Sequence, residues 1–239
     1  MHSTQRHRPD ATADDPQFGR IAALLVGTGA FGVIVTSVCY ALAGADAAMP
    51  GGSTSVDAAR AATAAASGWM RAAGLAGMPS DVLLAVGALM MAATQRGPGA
   101  AVAVAGWLAL AIAGALFIVV DAMVAMVLPP LALLPGAEAY SGLRSLFEVL
   151  FAIGAWAAGA GALAAAWSAR GPEYRWPAAL WLMRAAGVIG LLANTAFLLG
   201  LPGARLIGIG VAVLALALLA LSLSVYSASR ARIAPITAL

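Results

Sequence analysis

The chain has 239 residues, 62% of them hydrophobic and 10% charged, with a mean hydropathy of +0.93 and a formal charge of +3. A soluble fold cannot hide that share of apolar surface, so composition points to one bilayer domain rather than a soluble domain with a single anchor. All 13 basic residues are arginines, scattered singly between apolar runs, which excludes the basic stripe of a nucleic-acid binder and fits a charge bias in membrane loops.

Residues 1–19 carry His2, Arg6, His7, Arg8 and three aspartates among prolines, with no apolar periodicity, and are expected to form a disordered cytoplasmic tail. Residues 21–43 follow without a charge, enough to cross ~30 Å of hydrocarbon, and make the first predicted span. The Ala43-Gly44-Ala45 run resembles a signal cleavage site. The apolar stretch before it is longer than the roughly 7–15 residues of a signal core, so the segment is expected to be retained; cleavage would leave five spans.

The polar excursion from Asp46 to Ser80 begins with the breakers Pro50-Gly51-Gly52. Inside it, alanine content predicts an amphipathic helix over 57–74. Asp57, Arg60, Ser67 and Arg71 fall near one face, which suits an extracytoplasmic helix lying on the membrane or capping the bundle. Pro79-Ser80-Asp81 then looks like a helix start with Ser80 or Asp81 as N-cap, opening a short second span over 80–95. Gln95-Arg96-Gly97-Pro98-Gly99 turns the chain.

The third span covers 101–128, roughly 42 Å if fully helical, and Pro129-Pro130 is expected to stop it. The fourth, fifth and sixth cover 143–167, 176–199 and 206–226, and 229–239 forms a second cytoplasmic tail. Six spans return both termini to one side. With that side cytoplasmic, eight arginines (6, 8, 20, 96, 170, 175, 230, 232) lie inside and four (60, 71, 144, 205) outside, with Arg184 left in a span. The bias predicts an all-α bundle in a bacterial inner membrane with both ends in the cytoplasm.

Small residues at four-residue spacing offer close-packing faces. Ala101, Ala105, Ala109 and Ala113, with Gly106 and Gly114 beside them, are expected to meet Gly154, Ala158, Ala162 and Ala166, making spans three and four neighbours.

Ionisable groups inside apolar spans are costly unless paired or hydrated, which makes Asp121, Glu148 and Arg184 the best pointers to function. Asp121 and Glu148 are each expected ~7 to 10 Å below the outer boundary. Asn194 and Thr195 of span five reach a similar depth, and Thr36, Ser37 and Tyr40 of span one could line the same level, together outlining an outward-facing polar pocket. Two neighbouring carboxylates form the kind of site used for proton coupling or cation binding. The blander alternative pairs Glu148 with Arg144 one helical turn away and hydrogen-bonds Asp121 to a neighbouring helix. Arg184 is expected to snorkel toward Arg175 and Trp176.

No cofactor or metal is expected: the two histidines sit in the N-terminal tail and Cys39 is alone, which argues against haem, zinc or a serine–histidine protease. Gly27-Thr28-Gly29-Ala30-Phe31-Gly32 lies within an apolar span, not between a strand and a helix, so it is helix packing rather than a nucleotide loop.

A first span, an extracytoplasmic helix holding Arg71, Asp81 at the opening of the second span, and Trp176-Pro177 after a short basic turn together resemble the bacterial six-helix membrane family catalogued as domain of unknown function 4386. The resemblance covers about residues 18–228; the family usually has a Pro-Arg-Trp order where this chain reads Arg175-Trp176-Pro177. It implies the six-helix architecture, adds Arg71 and Asp81 to the candidate site, and leaves the chemistry open. The expected partners are the bilayer and a small ligand, lipid or membrane protein, without nucleic acid. The expected role is a non-enzymatic binding, accessory or sensing one, with a proton- or cation-coupled transporter as the alternative and no nucleophile–base pair for an intramembrane enzyme.

Overall fold

A chain surrounded by hydrocarbon must satisfy its backbone hydrogen bonds within each segment, so apolar runs of this length become helices. The structure, a computed structural model, describes residues 16–52, 55–169, 174, 176–201 and 205–233, without the side chains of 16, 205 and 230–233. The tail over 1–15, the basic turn 170–173 with Arg175, and the last residues lie outside the described set. Among the described residues every regular element is helical.

The elements are α1 (Pro16–Ala43), α2 (Ala45–Ala48), α3 (Val56–Ala65), α4 (Ser67–Thr94), α5 (Ala100–Ala122), a π turn (Met123–Val127), α6 (Leu128–Leu133), α7 (Glu138–Ser168), α8 (Pro177–Leu198) and α9 (Arg205–Ile233). Six segments are long and apolar enough to cross a membrane, the third being the continuous stretch Ala100–Leu133. Large apolar side chains such as Phe31, Leu89, Ile112, Trp181 and Leu216 are exposed on the long helices. A soluble monomer does not carry apolar surface on every face; a multi-pass membrane bundle does.

The six long helices form a closed ring. Each packs on its chain neighbours in the order α1, α4, α5, α7, α8, α9, and α9 returns to α1. Glycines bring the backbones together. A Cβ on Gly29 would stand 2.7 Å from backbone atoms of Ser80 and Leu84, and one on Gly106 would stand 2.5 Å from the Ala165 nitrogen. In lipid, where apolar burial gives little drive for helices to associate, such contacts supply much of the packing.

Four expectations are corrected. The helix expected over 57–74 is two pieces: α3, capped by Ser55 accepting from the Ala58 N–H at 3.2 Å, ends before Ala66, and residues 67–74 already belong to the second span. Pro79-Ser80-Asp81 therefore lies inside a 28-residue helix and caps nothing. Proline removes the N–H that would reach the Leu75 carbonyl, and Ser80 Oγ donates to the neighbouring Ala76 carbonyl at 2.6 Å within the same helix.

Pro129-Pro130 likewise does not stop the third span. The π turn widens the helix just before it, so the prolines fall in the first turn of α6, where their missing N–H groups would have no helical partner anyway. Finally, α5 and α7 are packed neighbours, but the contact on α5 is made by Gly106 and Leu110 against Gly161 and Ala165. Ala101 and Ala105 are exposed, one helical step away from the seam, while Gly154, Ala158, Ala162 and Ala166 are buried.

The short helices α2, α3 and α6 close one end of the ring, called here the loop end. Thr63 Oγ1 and the Tyr140 hydroxyl share a buried hydrogen bond of 2.7 Å, and Arg60 donates to the Gly136 carbonyl at 2.7 Å. Arg144 of α7, only 4% exposed, donates to the carbonyls of Ala47 and Met49 and pairs with Glu148 at 2.8 Å. These contacts make α3 a cap on the bundle. At the other end Arg184 donates to the Ala166 carbonyl at 2.9 Å with its guanidinium over the rings of Trp181 and Trp167, while Arg175 lies outside the described residues.

Candidate functional site

A cavity of about 440 Å³ occupies the loop-end half of the ring, a size suited to a small organic molecule. Most of its wall is apolar. Val33 and Ala41 come from α1, Phe117 from α5, Phe151 from α7, and Ile209 and Val211 from α9. Two of these, Ala41 and Ile209, are exposed, Ile209 by 55%, so the rim lies along the seam of α1 and α9 beneath Ala45 and Met49.

The polar part of the wall comes from three helices. Tyr40, near the end of α1, donates its hydroxyl proton to Asp121 Oδ1 at 2.7 Å. Asp121 sits in the last turn of α5, with Ala122 between it and the π turn, a distortion that recurs at functional sites. Asp81 stands near the middle of α4, two residues after the internal proline, and its carboxyl is within hydrogen-bonding reach of that of Asp121. Asp81 and Asp121 are 3% and 4% exposed.

Glycine makes this arrangement possible. A Cβ on Gly77 would fall on the Asp121 carboxyl itself, so α4 leaves a notch into which the Asp121 side chain fits. Gly74, one turn earlier, faces the Asp121 and Ala125 backbone in the same close manner.

Two polar atoms in the wall lack partners. Asp81 Oδ2 is buried and receives no hydrogen bond from an N–H or O–H donor, and neither does Thr36 Oγ1, on a residue 6% exposed that also lines the cavity. Ser37, beside it, donates to the Val33 carbonyl at 2.8 Å. Buried polar atoms are nearly always satisfied, so two orphans on one cavity wall mark a place where a proton, water or ligand belongs. Among the described residues no group of three or more His, Cys, Asp or Glu gathers as a metal site.

The structure thus brings together Tyr40, Asp81 and Asp121, with Thr36 and Ser37 on the same cavity wall, and separates them from Glu148, Asn194, Thr195 and Arg71. Glu148 is bound to Arg144, the local pairing weighed as the alternative. Asn194 is fully buried but turns its Nδ2 to the Gly190 carbonyl of its own helix at 2.6 Å, leaving Oδ1 without a partner. Thr195 and Arg71 are exposed, and none of these four lines the cavity.

What the sequence alone did not reveal is that Asp81 and Asp121 are a pair. Asp81 looked like a cap because Pro79 looked like a boundary. Reading the apolar pattern on both sides of Pro79 as one helix would have exposed Asp81 as a further intramembrane acid. The aromatic wall of Phe117 and Phe151 carried no signal, since aromatics on apolar spans are commonplace.

The chain was compared with protein-family models, with curated proteins and with solved structures, and none of the three yields a match.

Proposed function

We propose that the chain is a membrane-embedded binding protein whose cavity takes a small, largely apolar ligand and anchors its polar end on Tyr40, Asp81 and Asp121. The observation that carries this reading is the cavity itself: an apolar chamber of about 440 Å³ with a convergent polar cluster at one place on its wall. Asp81, Asp121 and Tyr40 are each 5% exposed or less, yet all three border the cavity, which supports a binding role beyond that of a structural acid pair.

In this proposal the loop end faces outward from a bacterial cytoplasmic membrane with both termini inside, as the arginine distribution favours. The resemblance to the six-helix bacterial family belongs to the same reading. The role is accessory or sensing rather than enzymatic. The rim along α1 and α9 supports entry of the ligand from the lipid or from the outer interface.

A second reading, proton- or cation-coupled transport of a small solute, is favoured by one observation, the juxtaposition of two buried carboxyls from different helices. The two readings part in proteoliposomes. For a binding protein, panels of small amphiphiles raise the thermal midpoint of the purified protein, and this response is lost when Ala212→Phe fills the cavity, while no solute flux follows a pH gradient. Flux that disappears with Asp121→Asn would establish transport instead. Absence of any ligand response unique to the unfilled cavity would remove the binding reading.

A further inference from the structure

Of the classes of small molecule the cavity could hold, the geometry points to an organic cation with an apolar body, bound in exchange for the proton shared by Asp81 and Asp121. This inference rests on the binding reading above and names its ligand chemistry.

The first ground is charge. Two carboxyls and a phenol line the cavity, and no basic side chain does so among the described residues. Arg144 of α7 is near enough to act on Tyr40 electrostatically, but its guanidinium is committed to Glu148 and to the carbonyls of Ala47 and Met49. The groups facing the pair are therefore Tyr40 from α1 and, beyond it, Arg144 from α7. The described lining side chains of α9 (Ile209, Val211 and Ala212) carry no titratable group. A carboxylate or phosphate ligand would meet only like charge.

The second ground is the orphaned acceptor. Asp81 Oδ2 is buried on the cavity wall without a donor. Two carboxyls within hydrogen-bonding reach bond to each other when one carries a proton, and in the proposed exchange the empty pair starts with one proton and one negative charge. When a cation enters, that proton leaves to water and the cation faces two carboxylates. The cavity carries one net negative charge before and after. Exchange therefore leaves the net buried charge unchanged, and the added cation is paired with the newly ionised carboxylate, which limits the cost of placing ions in a membrane interior.

The third ground is aromatic. Phe117 and Phe151 line the same chamber with ring centroids 5.4 Å apart in an edge-to-face arrangement. Ring faces attract ammonium groups, most strongly where water is excluded. The remaining apolar wall fits a hydrocarbon or aryl body, and the rim at Ala41 and Ile209 suits a molecule that partitions into lipid first.

The test uses the full chain in lipid nanodiscs with two probes, trimethyl(4-phenylbutyl)ammonium, whose charge does not change with pH, and uncharged 4-phenylbutanol. Calorimetry in weak buffer reads affinity and proton release together. The cation should bind roughly tenfold to a hundredfold more tightly than the alcohol, the scale of one charge-assisted contact, and release about one proton. Asp121→Asn and Asp81→Asn, judged first by monodispersity, should lose both the preference and the release. The wild-type proton count needs no variant, so a misfolding mutant leaves the test intact. Equal binding of alcohol and cation without proton release would overturn the cation-exchange inference while leaving a ligand-binding cavity. Binding of neither probe, with Ala212→Phe behaving as wild type, would remove both.

Discussion

The two halves of the ring are built from the same six helices and by different rules. At the end away from the loops, Ala22, Val26, Ala30, Ala88, Trp107, Ala158, Ala162 and Ala186 form a sealed core in which small residues let backbones touch. Ser222 there bonds within its own helix, to the Leu218 carbonyl at 2.7 Å. At the loop end the core around Tyr40, Met70, Val124, Tyr140 and Phe147 surrounds a chamber, and the helices carry an internal proline, a π turn and a buried arginine. One half supplies the stability that lets the other keep orphaned acceptors and open space. The irregularities also coincide: Asp81 follows Pro79 and Asp121 precedes the π turn, so the helix distortions and the acids occupy one layer.

The contrast can be broken most severely in the sealed half. Gly106→Val should drive α5 and α7 apart, because even a Cβ would strike the Ala165 backbone, which cannot yield as a side-chain tip could. Overpacking of a tight core typically costs ~1–3 kcal/mol and more where backbone must move. Little monodisperse protein should survive size-exclusion chromatography. Full recovery of wild-type yield and melting would mean that the α5–α7 seam is looser than described.

Next in size is Arg144→Ala. It strips donors from the Ala47 and Met49 carbonyls and leaves Glu148 unpaired, each buried polar group left unmade costing ~1–3 kcal/mol, less for the partly exposed Glu148. The thermal midpoint should fall while the sealed half keeps the protein monodisperse. Hydrogen exchange should rise in 44–52 and not in 158–166; a uniform rise would contradict the two-half description.

Tyr40→Phe sharpens the comparison rather than breaking it. It deletes only the hydroxyl that donates to Asp121, worth about 1.5–3 kcal/mol if the acceptor is charged. Ligand affinity should change by more than the melting temperature does, whereas an equal change in both would make the bond a structural staple. Smallest of all, Arg60→Ala removes an exposed hydrogen bond to Gly136 and should shift stability by less than ~1 kcal/mol. A collapse of folding on that change would show that α3 does more than cap the bundle.

The fold was largely legible because membrane length is a local property. An uncharged run of the size of 21–43 or 206–226 becomes a helix wherever it sits, since hydrocarbon offers its backbone no other partner. Boundaries at prolines were less legible. Pro79 and Pro129-Pro130 carry the same local signal as true helix ends, and only Ser80 bonding to Ala76 and the widened π turn reveal that the chain runs through. Of the site, Asp121 and Tyr40 stood out as polar groups in apolar segments. Glu148 stood out for the same reason, yet its partner was one turn away on its own helix.

By itself, then, the sequence determined that this chain is all-α, that it crosses the membrane six times by helix length, and that a few acids within those spans need partners. Tertiary structure alone decided which acids meet. Asp81 and Asp121 are 40 positions apart in sequence, on helices whose rotation and separation are set by Gly77 and Gly74 against the Asp121 turn. Such register is a property of two surfaces in contact, and neither surface encodes it alone.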